Sequence, residues 1–191
     1  MILPVVGYGS SILREKCVDI DADYPNLAKL IDDMWETLYA SNGVGLAAPQ
    51  IDKNIRLFVV DSAQIFEHAE EGDETYPDKP GFKKVFINAH IVEKNGEEWP
   101  YQEGCLSIPG IREDIMRPQE VTIEYVDENF QKHTDTFNGI TARIIQHEYD
   151  HIDGKLFIDY LKPLKRKLMG KKLNNIMKGQ VKVDYKMKFA K

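Results

Sequence analysis

Cysteine is scarce, with two in 191 residues. That excludes a disulfide framework and makes a reducing compartment the expected setting. Long apolar runs are missing, and no stretch approaches the ~18–20 residues of a membrane span. The opening MILPVVGYGSSILREK has no basic region ahead of an apolar stretch. A signal peptide is therefore not expected, and a cytoplasmic protein is. No internal repeat and no linker interrupts the chain, so a single domain over residues 1–191 is expected. At 22.0 kDa it is long enough to bury a core without covalent staples.

Positive charge is also in short supply overall. The formal net charge is −6, which argues against a nucleic-acid-binding body. The deficit is uneven. Residues 162–191 hold eleven Lys/Arg and one acid, Asp184, and sum to +10, while residues 1–161 sum to −16. Such segregation suggests a body with one task and a tail with another. Between two apolar runs, the acidic stretch EHAEEGDETYPD (67–78) reads as a solvated loop.

Several elements are legible. PNLAKLIDDMWETLYA (25–40) places Leu27, Leu30, Ile31, Met34, Trp35 and Leu38 at helical spacing, with Pro25 at the start. Residues 55–60, 84–93 and 120–126 read as strands, with 130–137 returning as a hairpin partner. Residues 139–152, GITARIIQHEYDHI, predict a helix between Asn138 as cap and Gly154 as a left-handed stop. A basic helix is predicted over 163–178, then a terminal strand in VKVDYKMKF. Strands followed by helices suggest α+β rather than a doubly wound sheet.

Three segments carry chemistry. In His147-Glu148-Tyr149-Asp150-His151 the histidines stand at i and i+4, on one helix face. Two imidazoles so placed can grip one metal ion, and Glu148 can reach a water on it. Alone, the pattern also fits an exposed helix face. A hydrolytic metal site needs a third protein ligand and an open position. Cys105, in a polar loop after Gly104, is a candidate; thiolate plus two imidazoles is a set that divalent transition metals accept. Cys17 reads as a small buried hydrophobe. In GVGLAAPQ (43–50) the glycines describe backbone that something approaches closely, though a plain turn fits too.

GVGLAAPQ, EGCLS and QHEYDH, in this order, resemble the three motifs of peptide deformylase. The likeness covers most of residues 1–165, including the ILR segment near the start and FIDYLKPLK after the metal helix. The resemblance implies an α+β fold with antiparallel sheets packed around a central metal-binding helix. It implies that Cys105, His147 and His151 bind one divalent metal, with Fe²⁺ expected and Zn²⁺, Ni²⁺ or Co²⁺ able to substitute. It implies that Glu148 is the general base and acid, and that Gln50 and the Leu106 N–H stabilise the oxyanion. The substrate implied is the N-formylmethionyl end of a nascent peptide, and the product formate. Val44, Ile140 and Ile144 would line the methionine slot or be plain core, and Val44, Gly45 and Gly104 would pair with the peptide backbone.

Glu103 and Asp150 are candidates to orient the histidines, with Arg112 and Arg117 beside them, or are surface charges. His68, His90 and His133 match no motif. Asp52 departs from the family, which often has glycine there. A zinc metallopeptidase and a non-catalytic metal-binding relic share the H-E-x-x-H helix; the first needs another third ligand, and the second needs neither Glu148 nor Gln50. The basic tail is expected either to aid docking at ribosomes through phosphate contacts or to pack on the acidic body.

Overall fold

A computed structural model describes residues 1–66 and 81–190. The acidic stretch 67–78 and His68 lie outside the described residues.

The chain runs β1 (Val5–Val6), α1 (Leu27–Ala40), β2 (Gly45–Ala47), β3 (Leu57–Asp61), α2 (Ala63–Phe66), β4 (Lys83–Cys105), β5 (Ile108–Val126), β6 (Lys132–Asn138), α3 (Gly139–Ile152), α4 (Pro163–Leu168), α5 (Gly170–Met177) and β7 (Met187–Lys188). Strands β2-β3-β4-β5-β6 form one antiparallel sheet, and β1 pairs with β7 in parallel. This is the α+β architecture expected.

Helix α3 occupies the predicted residues 139–152 and is buried on nearly every face, with only Gly139, His147 and Tyr149 less than fully buried. A helix apolar or buried all round belongs in a core rather than at a surface. One layer of that core joins Phe58, Phe86, Val121 and Ile123 of the sheet to Ala142, Ile144 and Ile145 of α3. A second lies under α1, where Ile31, Met34 and Leu38 meet Leu46, Leu57 and Val59. Gly154 stops α3 as expected, at φ +73°; a Cβ there would lie 2.6 Å from the Arg14 carbonyl oxygen. Asn138 flanks the helix without capping it through its side chain.

Other expectations need adjustment. The strand predicted at 84–93 continues to Cys105, and the one at 120–126 begins at Ile108. Most of 92–100 is solvent-exposed, so no apolar alternation signals strand there. Cross-strand pairing with residues 117–122 holds it extended. Cys105 is consequently the last residue of a strand, not part of a loop. The basic helix breaks at Met169: α4 buries none of its residues, whereas α5 buries Leu173 and Ile176. Gly170, the first residue of α5, weakens helix continuity at the break. Pro25 lies ahead of α1, whose flanking residue Asn26 is left-handed.

Candidate metal centre and its relation to known proteins

The fold brings the end of β4 against the middle of α3. The ligating atoms of Cys105, His147 and His151 all lie within 4.8 Å of one another. Cys105 Sγ is 3.3 Å from His151 Nε2. Sulfur and nitrogen donors sharing one tetrahedral ion sit about 3.5 Å apart, given bond lengths of ~2.3 and ~2.0 Å. The spacing and the S/N/N donor set therefore fit a divalent transition metal.

Glu103, two residues before Cys105 on β4, organises the surroundings. His147 Nδ1 is 2.9 Å from Glu103 Oε2. Burial opposes ionisation of this carboxyl, but hydrogen bonds from His147 and Arg117 hold it well below the usual carboxylate range. An ionised carboxylate only accepts, so His147 Nδ1 carries the proton and Nε2 is left to ligate. Burial disfavours charge on His147 too, yet its bonds to Cys105 and Glu103 hold its pKa well above that of a free imidazole. Burial, and then the neighbouring His147 charge, pull His151 well below that value. Both rings ligate a metal only in their neutral forms.

Arg117 grips the same carboxylate with two bonds, Nε to Oε1 at 2.7 Å and Nη2 to Oε2 at 3.0 Å. Its remaining nitrogen donates to Asp150 Oδ2 at 2.7 Å. Arg143 adds a bond to Glu103 Oε1 at 2.9 Å and donates to the Ile115 and Trp99 carbonyls. All four charged side chains are buried. Glu103 thus orients a histidine as expected, whereas Asp150 meets Arg117 and the Tyr160 hydroxyl instead. Arg112 is exposed and lies across the ladder from Gly104. Arg143 was not foreseen; its signal was a lone cation in an apolar helix, one turn before His147.

Gln50 closes the other side. It sits in a short 3₁₀ turn, Ala48–Ile51, and its Oε1 accepts from the Ala47 N–H at 2.9 Å. That fixes the amide so that Nε2 points to Cys105 Sγ, 3.5 Å away, and to Ser107 Oγ, 3.2 Å away. Ser107, likewise unforeseen, is the last residue of EGCLS. Leu106 occupies the turn between Cys105 and Ile108.

Glu148 is buried, and its Oε2 has no hydrogen-bond partner among the described residues. Burial pushes its pKa up to about 7, against the pull of His147. Its side chain lies on Gly45: a Cβ at that position would meet Glu148 Oε1 at 2.4 Å. Gly45, expected to give a substrate clearance, gives it first to Glu148. At Gly104 the nearest atom to an added Cβ is Arg112 Cγ at 3.2 Å, a side chain able to move.

Val44 and Ile144 pack in one apolar cluster beside α3, and Ile140 is fully buried. β2 is an edge strand. The Val44 carbonyl accepts from Asp61 N–H, so ladder alternation turns the Gly45 backbone groups to the free edge. His90 and His133 lie away from the site, near Asp19 and Asp127 respectively. A wide cleft of about 930 Å³ opens elsewhere, beside Lys94, Met116, Leu164 and Leu168, and holds none of the three metal donors.

Residues 2–167 match the family model described as polypeptide deformylase. The chain is 51% identical over 189 residues to the peptide deformylase of Christiangramia forsetii, covering 99% of this chain and 96% of that one. It is 52% identical over 190 residues to that of Flavobacterium psychrophilum, covering 100% and 98%. Among solved structures, the fold superposes on a peptide deformylase from Legionella pneumophila with a TM-score of 0.79 at 35% identity, covering 94% of this chain and 98% of that one. For the peptide deformylase from Ehrlichia chaffeensis the TM-score is 0.81 at 32% identity, covering 94% and 99%. Alike over its length in sequence and in fold, the chain belongs to the peptide deformylase family, the metal-dependent hydrolases that release formate from N-formylmethionyl peptides.

Proposed function

We propose that this chain deformylates nascent peptides with Cys105, His147 and His151 holding one Fe²⁺ ion and Glu148, Gln50 and Leu106 acting on the formyl group. The observation carrying this reading is the convergence of three metal donors within 4.8 Å beside the Gln50 amide. When bound, the metal supplies a Lewis acid and a source of hydroxide near neutral pH. Iron is the family's usual metal; zinc, nickel and cobalt suit the same donors.

Glu148 takes the proton of the water that attacks the formyl carbon, and later delivers it to the departing amine nitrogen. Its unpartnered Oε2 and its elevated pKa suit a group that must hold a proton briefly. The C–N bond breaks, leaving formate and a free methionyl amine. Gln50 Nε2 and the Leu106 N–H stabilise the oxyanion. Gln50 is pre-aimed, since its other amide atom is spent on Ala47. The peptide lies extended along β2 as an added strand, using the outward groups of Gly45 together with Gly104; the Val44 carbonyl is already taken by the Asp61 N–H, so Val44 serves through its side chain. Val44, Ile144 and Ile140 give the methionine side chain its apolar surface.

Formate release from formyl-Met-Ala-Ser, by protein prepared anaerobically with Fe²⁺ and assayed for metal, tests the reading. Turnover is expected with the formyl peptide and not with its acetylated analogue; full metal loading without turnover would overturn it. Gln50→Ala is expected to lower kcat by about 10²–10³-fold, the usual loss of one oxyanion donor. A loss under tenfold would remove Gln50 from that role.

Residues 1–191 are read as one catalytic unit in the cytoplasm with a basic segment at 162–191. That segment presents Lys162, Arg166, Lys167, Lys171 and Lys172 exposed on and beside α4 and α5. Ribosome association through phosphate contacts follows from this charge. Lys167→Ala/Lys171→Ala/Lys172→Ala is expected to weaken ribosome co-sedimentation and flatten its salt dependence. Absence of binding by the unmodified chain at low salt would leave the segment a structural role alone.

A further inference from the structure

The last stretch of the chain, which lies beyond the residues matched by the family model, returns to the metal centre. The Tyr185 hydroxyl donates to the Leu106 carbonyl at 2.7 Å, spanning 79 residues of sequence. One residue on, the Ser107 carbonyl accepts from the Tyr8 N–H at 2.8 Å. Tyr8 follows β1, which β7 holds through Val5 N–H to Lys186 carbonyl and Gly7 N–H to Lys188 carbonyl, both 2.8 Å. Both carbonyls after Cys105 are therefore held by the tail or by the segment just after the strand the tail pairs with. The tail also meets the opposite donor segment. Lys188 pairs with Asp52, the left-handed residue that ends the Gln50 turn. This gives the unusual Asp52 a partner that glycine could not provide, although the pair is exposed and weak.

A peptide unit is planar, so the orientation of one peptide group constrains its neighbours through only two soft torsions. A bond to the Leu106 carbonyl fixes the plane after Leu106 and limits the tilt of the Leu106 N–H. A tyrosine hydroxyl, with an ordinary pKa of about 10, remains a donor throughout the working range. We propose that Tyr185 is a positioning residue of the deformylase, holding the Cys105–Leu106–Ser107 turn so that the Leu106 N–H meets the developing oxyanion. The proposal rests on the reading of Leu106 as an oxyanion donor. Misplacing a catalytic group by about 1 Å can cost 10²-fold; losing one of the two carbonyl anchors disturbs the turn less than that.

Tyr185→Phe in the full-length, metal-loaded chain is the test, because it removes one hydroxyl and keeps the ring. The expected result is a kcat lower by roughly tenfold, KM within about twofold, and unchanged metal content and thermal midpoint. Lys182→Ala, an exposed change in the same tail, is expected to leave kcat intact. In zinc-loaded protein, the Leu106 amide ¹H–¹⁵N signal should shift on titration with formate, and shift less in Tyr185→Phe. A kcat within twofold of the parent, or a loss accompanied by equal loss of metal, overturns the proposal. If formate fails to shift Leu106 even in the parent chain, the donor reading itself is wrong and the proposal falls with it. A shift present in the parent and identical in Tyr185→Phe overturns the positioning role alone.

Discussion

Glu148→Ala is expected to keep one metal ion per chain and to lose formate release, with kcat falling about 10³-fold or more. The size follows from two proton transfers assigned to one carboxylate, each general acid or base step contributing ~10²–10⁴-fold. Metal retention follows because Glu148 is not among the three converging donors. The variant should also be no less stable. In the metal-free chain, burial raises the Glu148 pKa from 4.5 to about 7. The folded state then binds a proton more tightly than the unfolded state, so stability falls as pH rises through that window and the full penalty is present above it. Removing the carboxyl removes the penalty, and the metal-free variant should melt above the parent at pH 8 and level with it at pH 4. Metal content, initial rates and melting at the two pH values test all of this. Appreciable turnover by a fully loaded variant would remove Glu148 as the proton carrier.

Glu103→Ala carries the largest expected effect on stability. This one carboxylate faces Arg117, Arg143 and His147, and all four groups are at least largely buried. Taking one partner from a buried ion pair typically costs about 3–5 kcal/mol, because the remaining charge stays desolvated. Arg117 retains Asp150, and Arg143 retains two backbone carbonyls, which places the loss toward the lower end. At about 2–4 °C per kcal/mol for a chain of this size, the melting midpoint should drop by roughly 10 °C. His147 would also lose the acceptor that fixes its tautomer, so metal affinity should fall ~10–100-fold. Glu103→Gln, which keeps the shape and one acceptor oxygen, should recover part of the stability but less of the metal affinity. Denaturant melts with and without metal, and a competition titration with a chelator, measure both. Unchanged metal affinity in both variants would show that His147 is oriented by something else.

The parts of this protein differ in how far they could be read before the fold was known. Helix α3 matched its predicted limits because its apolar residues, its Gly154 stop and its histidine pair are local features. The long β4–β5 arm extends beyond both expected strands at the end where they turn. Its exposed residues at 92–100 have no apolar alternation, and only register against 117–122 keeps them extended. Arg112 and Arg117 looked equivalent as partners for acids, five residues apart. The ladder buries Arg117 against Glu103 and leaves Arg112 outside. Asp150 looked equally suited to a histidine, yet Arg117 and Tyr160 take it first.

The sequence by itself determined the donor types and the helix that carries two of them. Helical period alone puts His147 and His151 on one face and Glu148 next to them. The three motifs were enough to recognise the family and its chemistry. Tertiary structure alone decided which charged groups became the buried support of His147, why Gly45 must lack a side chain beside Glu148, and how Tyr185 reaches Leu106. The physical reason is one of range. Spacing within a helix follows from backbone geometry, whereas contacts 46 residues apart, as for Cys105 and His151, depend on strand register and packing that no local pattern encodes. The tail shows the difference most plainly: its +10 charge was readable from composition, and its hydroxyl on the catalytic turn was not.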